Sequence, residues 1–199
     1  MGIAMNVAWT RAAEGLQRRA FTVEDVRRMI DAGVIAEDER IELIEGELVM
    51  MAAKSYAHEF VRQALAELLS DARPKGFRVV SEPTLQFADN TILEPDIAVF
   101  PRESFTKSKT GFVHLSEGSV LLVVEIAVTS RRSDKTRKAA LYARHNVREL
   151  WVVDANERIA WVHTGPTADG WSSIVEIGPN DALTTPAAPG LTIKLGELE

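Results

Sequence analysis

The stretch VLLVVEIAV, residues 120–128, is apolar at every position except Glu125. Its short length, its β-branched residues and the polar TSRRSDK that follows predict a strand buried on both faces. A buried carboxylate without a partner costs several kcal/mol or becomes protonated. Glu125 therefore needs a compensating group, which can be a basic side chain, a set of hydrogen bonds or a metal ion.

A second apolar stretch, ILEPDIAVF at residues 92–100, also carries a carboxylate, Asp96. Pro95 removes a backbone donor and marks a strand start or a bulge, where a side chain is often redirected. If the two strands pair, Asp96 and Glu125 come together at one sheet edge, and a divalent cation such as Mg²⁺ relieves their repulsion. Alternatively, each acid pairs separately with an arginine or with backbone amides, and the spacing does not separate these interpretations.

The helix predicted after the buried strand carries an inward-facing lysine. At about 100° per residue, Lys138 points between Leu141 and Tyr142, the bulkiest apolar residues of that helix. A lysine on this side of the helix could reach Glu125. The ordinary alternative is an i, i+4 pair between Asp134 and Lys138, worth only a few tenths of a kcal/mol, and it leaves the inward direction unexplained.

The rest of the pattern predicts one α/β domain with a mixed sheet, whose central order is helix, strand, strand, strand, helix, strand. Residues 1–19 form a flexible extension in this interpretation, and 20–199 form the single domain. The predicted elements are a helix after a capping box at Thr22, a hairpin around Glu45 and Gly46, a helix over 55–73, strands over 77–87 and 92–100, an exposed loop over 101–118, a strand over 119–128, a helix over 133–145, a strand over 149–154, a strand from 158, and strands near 171–177 and 191–195.

Composition narrows the function classes. The 199 residues contain no cysteine, which excludes disulfides and zinc–thiolate sites and favours a reducing, cytoplasmic compartment. No apolar run is long enough to span a bilayer, so no membrane role is expected. The net charge of −6 argues against a strongly basic nucleic-acid coat but does not exclude a local site. The basic run over 131–138 is either a solvated helix start or a phosphate-binding surface.

Six segments in this order resemble the Uma-type family of putative restriction endonucleases, in the PD-(D/E)XK nuclease superfamily. They are FTVEDV, IELIEGELVMM, LEPDIAVF, LLVVEIAVTS, the helix with Asp134, Lys138 and Tyr142, and VRELWVVD, and the resemblance runs from about Phe21 to Leu195. It implies a restriction-endonuclease-like αβββαβ core with a mixed sheet, an N-terminal helix and hairpin, and extra C-terminal strands. It also implies metal-dependent hydrolysis of phosphodiester bonds in nucleic acid, with DNA as the first candidate.

The resemblance assigns roles to particular residues. Pro95 and Asp96 match the PD element, and Glu125 matches its second acid. The carboxylates of Asp96 and Glu125 and the backbone carbonyl of Ile126 would hold Mg²⁺ or Mn²⁺. Lys138 matches the lysine that Uma-type sequences place on the following helix. Ala127 stands where many superfamily members have the lysine of the E-x-K element. This departure favours a rival interpretation, a catalytically inactive nucleic-acid-binding or interaction module with the same fold.

Further candidates follow from the same resemblance. His58 is either a metal ligand, as in some superfamily branches, or a satisfied core histidine. Glu45, with its neighbour Glu42, and Glu82 are additional candidate acids, and Lys135 is the rival of Lys138. Residues Arg131, Arg132 and Lys135 would receive backbone phosphates. A homodimer is expected because superfamily nucleases that cut both strands often pair their sites, and the apolar C-terminal strands would supply the interface.

Overall fold

The computed structural model describes residues 9–11, 17–36, 38–107, 111–115, 118–128 and 132–199. Its strands and α-helices are, in chain order, β1 (Trp9–Arg11), β2 (Gln17–Arg19), α1 (Val23–Asp31), β3 (Ile41–Ile44), β4 (Glu47–Met50), α2 (Tyr56–Ala72), β5 (Phe77–Ser81), β6 (Leu85–Ala88), β7 (Thr91–Leu93), β8 (Ile97–Pro101), β9 (Thr106–Lys107), β10 (Val113–His114), β11 (Leu122–Ala127), α3 (Arg132–Arg144), β12 (Glu149–Asp154), β13 (Ile159–Thr167) and β14 (Gly170–Ile177). Two short 3-10 helices cover Arg102–Ser104 and Leu195–Glu197. None of the helices in these ranges combines the length and the hydropathy needed to cross a membrane.

The chain divides into two compact units. The first comprises Met1–Ala52, Thr84–Glu94 and Lys107–His114, and the second comprises Ala53–Pro83, Pro95–Thr106 and Leu115–Glu199. That residues 20–199 behave as one domain, preceded by a flexible extension over 1–19, stays a prediction.

The first unit contains the predicted N-terminal helix and hairpin. Helix α1 begins at a capping box in which the Thr22 hydroxyl accepts from the Asp25 amide and the Asp25 carboxylate accepts from the Thr22 amide. Strands β3 and β4 pair antiparallel around Glu45 and Gly46, whose φ angles are 52° and 88°. Positive φ at both central residues is the geometry of a favoured two-residue hairpin turn. A Cβ at Gly46 would lie 2.6 Å from the Cβ of Ala20, so this position requires glycine.

The second unit contains the predicted core. Its sheet has the order β14-β13-β12-β11-β8-β5. Strands β11 and β12 run parallel, and the other neighbours run antiparallel, so the sheet is mixed. Along the chain, the unit reads α2, β5, β8, β11, α3, β12, which confirms the αβββαβ order, and β13 and β14 are the extra C-terminal strands.

Two predicted strands are each two strands in the structure. The prediction of one strand over 77–87 is wrong, because the chain breaks after Ser81 and β5 and β6 belong to different sheets. The prediction of one strand over 92–100 is wrong in the same way, because β7 and β8 are separated at residues 94–96. Each break contains a proline, Pro83 or Pro95, which has no amide to donate to a ladder.

Smaller predictions also differ from the structure. The predicted strand near 191–195 is reduced to a single bridge between Leu183 and Ile193. The predicted loop over 101–118 contains a 3-10 helix and the short strands β9 and β10. On α2, Val61, Leu65 and Leu69 are fully buried, whereas Leu68 lies at the edge of the buried face and is partly exposed.

The core of the second unit explains which side chains of β11 face which way. Leu122, Val124 and Ile126 pack in the same cluster as the buried face of α2. Since side chains alternate along a strand, Glu125 and Ala127 point to the opposite face. The predicted buried strand is therefore confirmed, and its carboxylate lies on the face away from α2.

Candidate active site

Three neighbouring strands of the second unit bring acidic residues to adjacent positions. Ser81 on β5 and Val124 on β11 are both opposite Ile97 on β8. Glu82, Asp96 and Glu125 are each the immediate sequence neighbour of one of these three paired residues. The amide of Glu82 donates to the Asp96 carbonyl at 3.0 Å, and Glu82 has a φ of 51°, a conformation that non-glycine residues rarely adopt. The strand that follows Asp96 thus pairs with the strand that carries Glu125, which is the condition for bringing the two acids together.

Asp96 is 5% exposed and is surrounded by donors. The Ile126 amide donates to its Oδ2 at 2.7 Å, and His58 Nε2 lies 3.1 Å from each carboxylate oxygen. The Nζ of Lys54 lies 3.0 Å from its Oδ1. Burial alone would raise the pKa of Asp96, but His58, the Ile126 amide and Lys54 together hold that pKa below its ordinary value of 3.8. Asp96 is therefore held in its ionised form.

His58 is placed against Asp96 by the start of α2. The hydroxyl of Ser55 caps this helix and accepts from the His58 amide at 3.3 Å, which fixes the first turn. The ring is buried, and its Nδ1 lies 3.4 Å from Glu59 Oε1 without a hydrogen bond. His58 thus contacts the predicted ligand Asp96, and its own role as a ligand stays a prediction.

Lys54 was not among the residues predicted from the sequence. Its ammonium forms ion pairs with both Glu82 and Asp96, and its side chain is only 11% exposed. The residue lies in the irregular segment just before the N-cap of α2, where no periodicity indicates a direction. In the sequence, the one feature that links Lys54 to the site is its position four residues before His58.

Glu125 is compensated by two groups from α3. Its Oε1 lies 3.0 Å from Lys138 Nζ and accepts a hydrogen bond from the Tyr142 hydroxyl at 2.6 Å. Lys138 and Tyr142 are one helical turn apart, so they reach the same carboxylate from one face of the helix. The predicted contact between Lys138 and Glu125 is confirmed. The hydroxyl of Tyr142 is an additional partner, since the sequence pattern indicated only its apolar ring.

Ala127 occupies the strand position where many superfamily members have a lysine. It follows Glu125 on the same face of β11, is buried, and is opposite Asp154 on β12. An alanine here brings no charge to the acids. The ammonium groups reach them instead from α3, through Lys138, and from the segment before α2, through Lys54.

The remaining predicted residues fall elsewhere or outside the described part. Glu45 lies in the hairpin turn of the first unit, and in the same unit Glu42 is buried and accepts from the Glu94 amide at 2.8 Å. Arg131 and the side chains of Arg132 and Lys135 lie outside the described residues. Arg62 was not predicted either; its guanidinium pairs with Glu59 on the same helix.

The donor chemistry of the site suits a hard divalent cation. Glu82, Asp96 and Glu125 offer carboxylate oxygens, which Mg²⁺ and Mn²⁺ prefer, and an ammonium already lies between Glu82 and Asp96. Within the described ranges, no three histidine or acidic side chains form a group that could hold a metal ion. Mg²⁺ needs no such cage, because one or two carboxylates commonly hold it together with waters and substrate phosphate. The residues fit an ion that is held jointly with a phosphate.

Comparison with known proteins places this geometry in context. The family model Uma2, described as "Putative restriction endonuclease", matches residues 23–196. A solved structure of a putative nuclease belonging to DUF820 from Anabaena variabilis ATCC 29413 is similar at a TM-score of 0.68 and 17% identity, over 89% of this chain and 97% of that one. The apo form of NucC from E. coli MS115-1 is similar at a TM-score of 0.30 and 18% identity, over 48% of this chain and 49% of that one. None of the curated proteins matches this chain.

Proposed function

We propose that this chain, which belongs to the Uma2 family of putative restriction endonucleases, is a metal-dependent endonuclease that hydrolyses phosphodiester bonds in DNA. The observation that carries the proposal is the Lys138 ammonium 3.0 Å from Glu125, on the strand that pairs with the strand following Asp96. Two carboxylates and one lysine on a restriction-endonuclease-like core are the groups that this hydrolysis needs.

The proposed metal ligands are the carboxylates of Asp96 and Glu125 and the backbone carbonyl of Ile126, with His58 as a further candidate. When bound, Mg²⁺ or Mn²⁺ would polarise the phosphate and lower the pKa of a coordinated water. His58 and the Ile126 amide hold the Asp96 carboxylate in place, and Tyr142 does the same for Glu125. Preorganisation of this kind reduces the rearrangement needed when the substrate binds.

Lys138 has the catalytic role in this proposal. Its ammonium contacts Glu125, so it would lie beside the phosphate that a metal on Glu125 binds. From there it would orient the attacking water or stabilise the charge that develops on the phosphate oxygens. The basic residues Arg131, Arg132 and Lys135 would contact phosphates of the nucleic-acid backbone and position it.

A nuclease assay tests the proposal. Supercoiled plasmid, linear duplex and single-stranded DNA are incubated with the protein and Mg²⁺ or Mn²⁺, and we expect cleavage that a chelator stops. Glu125→Gln should abolish cleavage. The matched control is Glu176→Gln, because exposed Glu176 also accepts a hydrogen bond from an aromatic residue, Trp161, at 3.0 Å. Wild-type protein that binds DNA but cuts none of these substrates would instead favour the inactive module that Ala127 suggests.

We also propose a homodimer, formed by the edge strand β14. Among the described strands it pairs with β13 alone, and its Ile174 and Val175 are 57% and 50% exposed. An exposed edge with apolar side chains is a template for pairing with another strand, and a second copy of β14 would satisfy it symmetrically. Sedimentation should show a dimer at tens of micromolar that Val175→Lys dissociates, whereas a wild-type monomer would contradict the proposal. The absence of cysteine supports a cytoplasmic setting.

A further inference from the structure

The Lys54 ammonium pairs with a carboxylate oxygen of Asp96, the proposed metal ligand. Its Nζ is 3.0 Å from Asp96 Oδ1 and is ion-paired with Glu82. With 11% of its side chain exposed, the ammonium is held in the site rather than extending into solvent. Lys54 therefore differs from an ordinary surface lysine, whose ion pair contributes little.

The positions of the two acids make this arrangement specific. Glu82 follows the last residue of β5, and Asp96 precedes the first residue of β8, the neighbouring strand. The hydrogen bond between the Glu82 amide and the Asp96 carbonyl holds the two backbones together. The carboxylates form a pair to which Lys54 supplies the counter-charge, and any further cation has to compete with it.

We propose that Lys54 is an internal competitor for the metal ion and sets the metal affinity of the site. This inference rests on the proposed function, because it takes Asp96 as a metal ligand. A divalent cation on Asp96 and the Lys54 ammonium repel each other, so the ion binds only as the lysine side chain moves away. Lys54 precedes the N-cap Ser55 and lies outside α2, so this movement breaks no helical hydrogen bond.

A consequence is that the site favours metal together with substrate over metal alone. Phosphate oxygens add negative charge and ligands, which help the ion to displace the lysine. The displaced ammonium is then available to a backbone phosphate. Lys54 would in this way limit occupancy of the site by metal ions when no nucleic acid is bound.

The test compares Mn²⁺ binding to the wild-type protein and to Lys54→Met by isothermal titration calorimetry, without nucleic acid. Methionine keeps most of the side-chain length and removes the charge. We expect Lys54→Met to bind Mn²⁺ about tenfold more tightly, because one positive charge is removed next to the ligand carboxylate. Its melting temperature without metal should fall, and Mn²⁺ should raise it by more than in the wild type. The matched control is Lys194→Met, because Lys194 pairs with Glu197 at 3.0 Å on the surface.

The outcomes distinguish failure of the inference alone from failure of the proposed metal site. Equal Mn²⁺ affinity in the wild type and in Lys54→Met, with binding lost in Asp96→Asn, would overturn the role of Lys54 and leave the metal site intact. No Mn²⁺ binding to either protein would overturn the metal site and the inference together. Lys54→Gln serves as a second neutral variant. If both neutral variants stay unfolded even in Mn²⁺, Lys54 is structural and the inference fails.

Discussion

At the scale of single residues, two glutamates in the core strands differ in the groups that contact their carboxylates. Glu125 on β11 has the ammonium of Lys138 beside it. Glu149 on β12 has only neutral donors among its described hydrogen bonds, from Trp151 Nε1 at 2.6 Å and the Thr185 hydroxyl at 3.0 Å. Burial raises the pKa of Glu149 above its ordinary value of 4.5, although both hydrogen bonds act in the opposite direction. A carboxylate with only neutral partners is a structural group whose ionisation opposes folding.

The first prediction concerns Glu149→Gln. Because the pKa of Glu149 is higher in the folded state, its contribution to stability is fully present below its unfolded pKa and is lost as pH rises through the folded pKa. Glutamine cannot ionise, yet it can accept from Trp151 and donate to Thr185. The free energy of unfolding of Glu149→Gln relative to wild type should therefore increase between pH 4 and pH 8, as measured by urea denaturation. Exposed Glu176→Gln is the control, and a pH-independent difference for Glu149→Gln would contradict the prediction.

Contacts between residues can be predicted from the sequence where a regular helix or strand fixes the direction of the side chains. The sequence predicts Lys138 beside Glu125, as the structure shows, because the period of a helix fixes which side chains share its buried face. Lys54 was missed because it lies in an irregular segment, where neighbouring residues carry no information about orientation. Its partners Glu82 and Asp96 are distant in sequence, and only the register of β5 and β8 brings them together.

At the scale of elements, the hairpin and helix limits followed from local chemistry, and the strand breaks did not. Thr22 caps α1 as the capping-box pattern predicts, and Glu45 and Gly46 form the hairpin turn. The pattern predicts continuous strands over 77–87 and 92–100 because apolar residues lie on both sides of each break. Pro83 and Pro95 indicated a disturbance, but a bulge and a change of sheet have the same local signal.

Helix α3 carries the second prediction, which distinguishes its two candidate lysines. Lys138→Met should lower the rate of DNA cleavage about 10²–10³-fold, the cost of removing one preorganised charge-stabilising donor, while Mn²⁺ binding through Asp96 and Glu125 remains. Lys135→Ala should weaken DNA binding and reduce its salt dependence by about one phosphate contact. Exposed Lys75→Met controls for loss of a positive charge, and the melting temperature of each variant controls for folding. Normal cleavage by Lys138→Met together with an inactive Lys135→Ala would mean that the catalytic face of α3 is the other one.

At the scale of the whole molecule, the αβββαβ order was predictable because it depends on element types and their sequence. The similarity to the DUF820 structure from Anabaena variabilis, at a TM-score of 0.68, is a similarity of fold. The division into two compact units was not predictable, since the first unit is built from three separate segments of the chain. The amino-acid composition of the chain does not change where it passes from one unit to the other.

The central claim is that Asp96 and Glu125 form a metal-dependent hydrolytic site, and Mn²⁺ binding tests it most directly. Cleavage in an assay can come from a contaminating nuclease, whereas stabilisation by a metal ion is a property of this chain. The measurement is the change in unfolding free energy when Mn²⁺ is added to the wild type, to Asp96→Asn and to the exposed control Asp169→Asn. At a hundred times the dissociation constant, the wild type and the control should gain about 2.7 kcal/mol. Asp96→Asn should gain nothing, and an equal gain in Asp96→Asn would contradict the account.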